Sequence, residues 1–444
     1  MGEVLCVTKG DEKKLTEWVS AKPDRYVVWV GSQASCHPRI LSLDDNELSF
    51  QQVAAQLLYL PFVYDDPSHP ALQRLERIQT ELHYRASDFL DQGVKLLTNF
   101  RANLQNPTHL ACDCFGKFSK FPAIVCGAGP SLKEIIPFLK VHRDKFLILG
   151  CGAGMQALLA AGIEPHLAVH VDPDPHHKFP KTSIPLFYQL RTTQMSGTRF
   201  LMAGSGDFPL ERWIEEKLGL EPSSDGGWTA ATRGAALATE LGCPKIYFAG
   251  IDFSTSSALY AKGVESPQDG RLMKITLSDG SVVQTRSDWL LAAEWLSQWV
   301  SNHPEQTWGL ASKPNPLMPM IPALELEAGT GGVSEFAREV FASCKEISGK
   351  EVWNEISVSF KKCRELVDQF LTHFQKVFPK PPSSDLSCMN ILQEIDKQDA
   401  VEKVIDPIWN HWEAVLKRQP ENHPDALIIH RILLLKSLAD RFYA

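Results

Sequence analysis

Between residues 118 and 310, short apolar runs alternate with helical ones. "AIVCG", "FLILGCG", "LAVHVD", "PLFYQ", "RFLMAG" and "KIYFAGID" are dominated by apolar residues, and "SLKEIIPFLK", "AGMQALLAAG" and "TAATRGAALATELG" lie between several of them. A strand that is apolar along its whole length is buried on both faces, and parallel strands need crossover connections, usually helices. The pattern therefore predicts an α/β fold: a Rossmann-like, mostly parallel sheet with helices on both faces. This core is expected over residues 118–325.

The flanks have a different texture. In residues 1–65, "VLCVT" and "RYVVWVG" read as strands around the helical "DEKKLTEWVSAK", and "SFQQVAAQLLYL" and "PFVYDD" follow, which predicts a small N-terminal α/β domain. Residues 66–117 carry apolar residues at helical spacing among many charges and predict one or two connecting helices. Within the core, "GRLMKITLSDGSVVQT" predicts a hairpin turning at "SDG", and "SDWLLAAEWLSQWVSN" predicts an amphipathic helix capped by Ser287. From 326 to 444 the chain reads as helical, with "PKPPSSD" as a break.

Composition narrows the function classes. The 444 residues have a formal net charge of −8, which argues against a nucleic-acid binder that works by neutralising phosphates. Ten cysteines are scattered without a CxxC pair, so free thiols in a reducing cytoplasm are expected rather than disulfides or a zinc ribbon. The N-terminal "MGEVLCVTKGDEKK" lacks the layout of a signal peptide. No apolar stretch approaches the roughly 20 residues of a membrane span.

Three stretches carry the candidate chemistry. In "VCGAGPSLKE", Gly127, Ala128, Gly129, Pro130 and Ser131 join a strand to a helix. Glycines there let a backbone approach a ligand, and the helix start offers N–H groups to a phosphate. The competing reading is a capping box between Ser131 and Glu134, with no ligand at all. In "AVHVDPDPHHK", Asp172 and Asp174 form a D-x-D pair at a strand's carboxyl end, suited to a divalent cation such as Mg²⁺. His170, His176 and His177 add ligand or acid–base candidates, although Asp-Pro pairs also simply start turns. In "DGGWTAATRG", Gly226, Gly227 and Thr229 open a small-residue helix, and "KIYFAGIDF" ends on Asp252. Asp172 and Asp252 share one rim if the sheet is parallel, and they are the candidate catalytic carboxylates.

In this order, "GAGPSL", "HVDPDP", "DGGWT" and "GIDF" resemble the family of MptE-like proteins and motility accessory factors, over roughly 95–310. The core is also similar to bacterial sialyltransferases that use CMP-sialic acid. The resemblance implies a nucleotide at Gly127, Ala128, Gly129, Pro130 and Ser131, a donor sugar or phosphate by Asp172, and a pocket completed by Gly226, Gly227, Thr229 and Asp252. Two departures stand out. Ala128 replaces the asparagine of the sialyltransferases, and no histidine occurs between His177 and His303 to supply their base. Trp228 also stands where a smaller residue is expected.

Three functions follow from the resemblance. One is a glycosyltransferase that moves a CMP-activated nonulosonic acid, such as pseudaminic or legionaminic acid, onto a hydroxyl, including serine or threonine of a protein such as flagellin. Another is a pterin-type diphosphokinase, with Asp172 and Asp252 holding Mg²⁺ on ATP and an aromatic slot near Trp228 or Phe253. The third is a non-catalytic nucleotide-binding or interaction module.

Overall fold

The computed structural model describes residues 3–31, 37–43, 47–57, 60–66, 69–173, 182–194, 197–204, 208–221, 227–255, 261, 272–277, 280–417 and 424–443. They form two compact units, residues 1–93 with 359–444, and residues 94–358. The division falls inside two long helices, Pro70–Gln105 and Lys350–Val377.

In the first unit, strands β1 (Glu3–Val7), β2 (Arg25–Val30), β3 (Ile40–Leu43) and β4 (Phe62–Tyr64) pair in parallel in the order β3-β2-β1-β4. The helix Glu12–Ser20 begins at Asp11, whose carboxylate accepts the N–H of Lys14 at 3.1 Å. Val4, Cys6, Val28, Leu43, Phe50 and Leu75 meet in its core. The end of the chain contributes the helices Leu386–Asp396, Asp399–Lys417 and Pro424–Tyr443 to this unit.

The second unit holds the large sheet. Its strands are β5 (Thr108–Leu110), β6 (Ala123–Cys126), β7 (Leu147–Cys151), β8 (Leu167–His170), β9 (Leu186–Tyr188), β10 (Arg199–Leu201) and β11 (Lys245–Ala249). The hairpin β12 (Met273–Thr276) and β13 (Val282–Thr285) follows, then β14 (Thr307–Leu310) and β15 (Glu346–Ile347). The sheet order is β14-β11-β6-β7-β8-β9-β10-β5-β15, parallel except where β15 runs against β5. All six apolar runs of the central sequence are strands. Both faces are covered: Val125, Leu149, Val169, Phe187 and Phe200 lie in one buried cluster, and Ile124, Ile148 and Tyr247 in another. Each such side chain contributes roughly 1.5–3 kcal/mol by leaving water.

The strand order creates a switch point. From β6 the chain steps sideways through β7, β8, β9 and β10, then returns to the other side of β6 to lay down β11 and β14. The chain therefore leaves the neighbouring strands β6 and β11 in opposite directions, and such a switch point at the carboxyl rim is where open α/β sheets bind ligands.

Local chemistry departs from expectation at two helix starts. The helix Ser287–Asn302 is preceded by Arg286 as its cap residue; Ser287 is already helical, and Arg286 pairs with Asp288. The helix Leu132–His142 has no side-chain cap, because Ser131 is turned elsewhere. The small-residue helix Ala230–Glu240 packs on β6, β7, β8 and β11. Its composition has a steric cause: a Cβ on Gly234 would lie 2.4 Å from Cys151 Sγ. Of the described cysteines, all are free thiols and only Cys112 is exposed; Cys36 lies outside the described residues. No helix among the described residues is long and apolar enough to cross a membrane.

Candidate functional site at the carboxyl rim

Because β6, β7, β8 and β11 are parallel, the segments that follow them emerge at one rim. The segment after β6 is Gly127–Ser131, and that after β11 is Gly250–Asp252. They interlock. Gly127 N–H donates to Ala249 O at 2.8 Å, and Gly129 N–H to Gly250 O at 2.7 Å. Ser131 donates twice to Asp252, from its N–H to Oδ2 at 2.9 Å and from Oγ to Oδ1 at 2.5 Å. The Ser131–Glu134 capping box is therefore absent, since the hydroxyl is spent on Asp252.

The glycines of this turn make room for protein rather than for a ligand. A Cβ on Gly127 would meet Gly250 O at 2.4 Å, and one on Gly129 would meet Asp252 Oδ2 at 2.4 Å. The Asp252 carboxylate sits at the helix start, the position an anion would favour. The segment bearing Asp252 is itself held: Asn315 Nδ2 donates to Asp252 O at 2.9 Å, and Thr285 Oγ1 to Phe253 O at 2.7 Å. Phe253 has φ of +50°, a conformation that costs a bulky residue energy and persists only where the surroundings enforce it. Phe253 is buried and packs in the core, and Trp228 packs against the same cluster.

A second glycine turn follows β7, in "LGCGAGM". Gly152 has φ of +53° and ψ of −126°, and it precedes the helix Ala153–Ala160 with no side chain capping it. Gly154 lies against the end of β6, where a Cβ would meet Cys126 O at 2.2 Å. This turn presents an uncapped helix start beside the locked one. The expected strand "FLILGCG" and helix "AGMQALLAAG" divide this G-x-G-x-G run between them.

Asp172 lies just beyond β8 and is exposed. Its loop is fixed by Asn99, whose Nδ2 donates to Pro173 O at 3.0 Å and to Arg191 O at 2.7 Å. Asn103, one turn further along the same helix, donates to Leu190 O at 2.9 Å and Thr192 O at 2.7 Å. The two buried asparagines tie the loops after β8 and β9 together. Their signal in the sequence is a polar i, i+4 pair at a helix end, "NFRAN". His170 ends β8 fully buried, and burial pulls its pKa down to about 3, so it stays neutral. Asp174, His176 and His177 lie outside the described residues, as does Gly226.

Gly227 has φ of +69°, and a Cβ there would meet Thr232 Oγ1 and Trp295 Cδ2 at 2.7 Å. Thr229 is the cap of the helix Ala230–Glu240: its Oγ1 accepts from Thr232 N at 3.2 Å, and Thr232 Oγ1 accepts from Thr229 N at 2.9 Å. The box satisfies the N–H groups of Thr229 and Thr232 internally.

Sequence reasoning missed a buried ionic group at the same rim. The helix Pro209–Lys217 carries Glu211 and Glu215 one turn apart, both buried. Arg191 Nη2 donates to Glu211 Oε2 at 2.7 Å, and Gly204 N–H to Glu215 Oε1 at 2.6 Å. Burial first, and the Glu211 charge second, push the Glu215 carboxyl up to about 8. Their signal is a pair of glutamates at i, i+4 among Leu210, Trp213 and Ile214 in "PLERWIEEK".

His303 is not brought to this rim. It caps the helix Ser287–Asn302 just before β14, at the sheet's opposite edge, stacked on Trp299 with Nδ1 2.8 Å from Trp299 O. The same edge holds a clasp. His166 Nδ1 accepts from Ile148 N–H at 3.1 Å, so its Nε2 carries the proton toward Ser334 Oγ at 3.0 Å. Asp144 accepts the N–H groups of Gly332 and Ser334, both at 2.8 Å.

Comparison with known proteins agrees with this architecture. Residues 95–258 match the family model described as 6-hydroxymethylpterin diphosphokinase MptE-like. Among solved structures, the MAf glycosyltransferase from Magnetospirillum magneticum AMB-1 is similar, with a TM-score of 0.54 at 14% identity, over 99% of this chain and 79% of that one. No curated protein sequence matches the chain. Residues 95–258 are thus similar to the MptE-like family, within a fold shared with the MAf glycosyltransferase.

Proposed function

We propose that the rim formed by the ends of β11, β6, β7 and β8 binds a nucleotide-activated sugar, and that the protein transfers this sugar to a hydroxyl. The observation that carries the reading is the pairing of two glycine turns at a switch point. The turn after β6 is locked by Asp252, and the turn after β7 offers an uncapped helix start to a phosphate. The fold shared with a glycosyltransferase supports the reaction class.

In this reading Asp252 is a positioning residue, holding Ser131 and the helix behind it. Gly152 N–H is held by Val169 O at 2.9 Å, so the departing phosphate is received by the backbone N–H groups of Ala153 and Gly154. Asp172, exposed at the rim, takes the proton of the attacking hydroxyl. A divalent cation, if the reaction uses one, has Asp172 as its carboxylate ligand. The donor is a CMP-nonulosonate, and the acceptor is a serine or threonine hydroxyl of a protein such as flagellin.

Calorimetry with CMP, UDP and ATP tests the donor. Binding of CMP, weakened at least tenfold by Gly152→Ala and retained in Asp172→Asn, is the expected result. ATP binding without CMP binding overturns the reading. A second reading, pterin-type diphosphokinase, is favoured by the description of the matching family model. It predicts AMP release from ATP when a hydroxymethylpterin is supplied, and no release on CMP-sugar.

A further inference from the structure

The first unit contains a group of side chains that the proposed transfer does not use. His373 stands on the helix Lys350–Val377, while Asp385 caps the helix Leu386–Asp396 and Cys388 lies in its first turn. One ligand atom from each of the three lies within 4.8 Å of the others. We propose that His373, Asp385 and Cys388 bind a divalent metal of the zinc class, with water completing a tetrahedron.

The donor set selects the class of ion. An imidazole, a thiolate and a carboxylate suit zinc, whereas Mg²⁺ and Ca²⁺ take oxygen alone. Metal–ligand bonds of about 2.0–2.3 Å place tetrahedral ligands roughly 3.5 Å apart, and separations that already lie within 4.8 Å need only a small adjustment on loading. Helix capping explains only part of the arrangement. Asp385 Oδ1 accepts the N–H groups of Ser387 at 3.0 Å and Cys388 at 3.1 Å. Capping requires neither a fully buried thiol nor an imidazole whose Nε2 lies 3.0 Å from the same oxygen. His373 is one-third exposed and gives an ion its route in from solvent.

Lys380 is the competitor. Its Nζ lies 3.2 Å from Asp385 Oδ2, the oxygen that capping leaves over, and its side chain is half exposed on a flexible stem. A metal binds by displacing this ammonium toward water. Cys388 releases its thiol proton to the buffer as the metal–sulfur bond forms.

The test uses the full chain, stripped with a chelator and titrated with Co²⁺, then with Zn²⁺ in competition. The expected result is a thiolate-to-cobalt absorption band that saturates near one equivalent and is displaced by zinc. Cys388→Ser and His373→Gln abolish the band. Cys112→Ser, at the exposed thiol, leaves it intact, and Lys380→Met tightens binding several-fold. Absence of the band, or its survival in both Cys388→Ser and His373→Gln, overturns the proposal and leaves Asp385 as a helix cap with a salt bridge. If Cys388→Ser does not fold, the partly exposed His373→Gln decides alone.

Discussion

The turns after β6 and β7 leave neighbouring strands at the same rim, both rich in glycine and both leading into a helix. At Gly127–Ser131 the space beside the glycines is filled by Gly250 and Asp252, and the Ser131 N–H and hydroxyl are both engaged. At Gly152 the chain turns with positive φ into a helix that no side chain caps. A glycine run between strand and helix therefore has two separate physical uses. It admits another part of the protein to the helix start, or it leaves that start for a ligand. Only the neighbouring strand tells them apart.

The strongest way to break this contrast is to remove the lock. Asp252→Ala strips a charged acceptor from two donors and is expected to cost about 2–3 kcal/mol, seen as a lower midpoint in thermal or denaturant unfolding. Gly129→Ala alone forces Asp252 aside and costs about 1–3 kcal/mol. Combined with Asp252→Ala, its penalty is expected to shrink, because the closest clash is gone. Full additivity in the double-mutant cycle contradicts the lock.

Gly152→Ala probes the other turn. A residue with Cβ at φ of +53° and ψ of −126° is strained by about 1–3 kcal/mol. Its distinguishing effect is on ligand: nucleotide affinity falls at least tenfold, whereas Asp252→Ala shifts stability first. Equal loss of affinity and stability in both variants erases the distinction between the turns.

The question of whether a buried carboxylate serves fold or chemistry recurs at Glu215, and pH answers it. Its folded pKa is raised to about 8 from an ordinary 4.5, so from pH 4.5 to 8 the folded chain keeps a proton that the unfolded chain releases. Stability therefore falls as pH rises through that window. His166, lowered from 6.5 to about 4, acts in the opposite sense, and its contribution is lost as pH falls below 6.5. Above pH 6.5 only the Glu215 slope remains of these two. Melting temperatures of Glu215→Gln are expected to flatten between pH 6.5 and 8. An unchanged slope removes Glu215 as its source.

The smallest effect on stability is expected at Asp172→Asn. The side chain is exposed, so stability stays within about 0.5 kcal/mol of the parent. Turnover falls about a hundredfold or more if Asp172 is the base, as measured in the sugar-transfer assay. Unchanged turnover moves the proton to another group.

The six apolar runs were legible as strands because burial on both faces leaves no alternation to confuse them. β5, β14 and β15 were not: "THL", "TWGL" and "EI" are too short to carry a period, and they gain strand character from the partner they pair with. Asp11, the first residue of the expected helical run "DEKKLTEWVSAK", is its cap. Ser287 and Ser131 resemble caps equally well, yet one is already inside its helix and the other donates to a carboxylate 121 residues away. A capping pattern records what a side chain is able to do locally, and a charged acceptor brought by another strand outcompetes it. Glu211 and Glu215 are not legible as buried, because a glutamate pair on a helix has the pattern of a solvated face until packing covers it.

Sequence alone determined that this chain builds a parallel sheet with helices on both sides, that its turns need glycine, and that acidic residues stand where strands end. Those properties follow from local sterics and from the hydrophobicity of each strand. The order of the strands was decided only by tertiary structure, because it depends on contacts between segments far apart in the chain. That order put β11 beside β6, and so set Asp252 on Ser131 instead of leaving both open to a ligand. It also left the turn at Gly152 uncapped beside them, and it placed His303 at the opposite edge of the sheet.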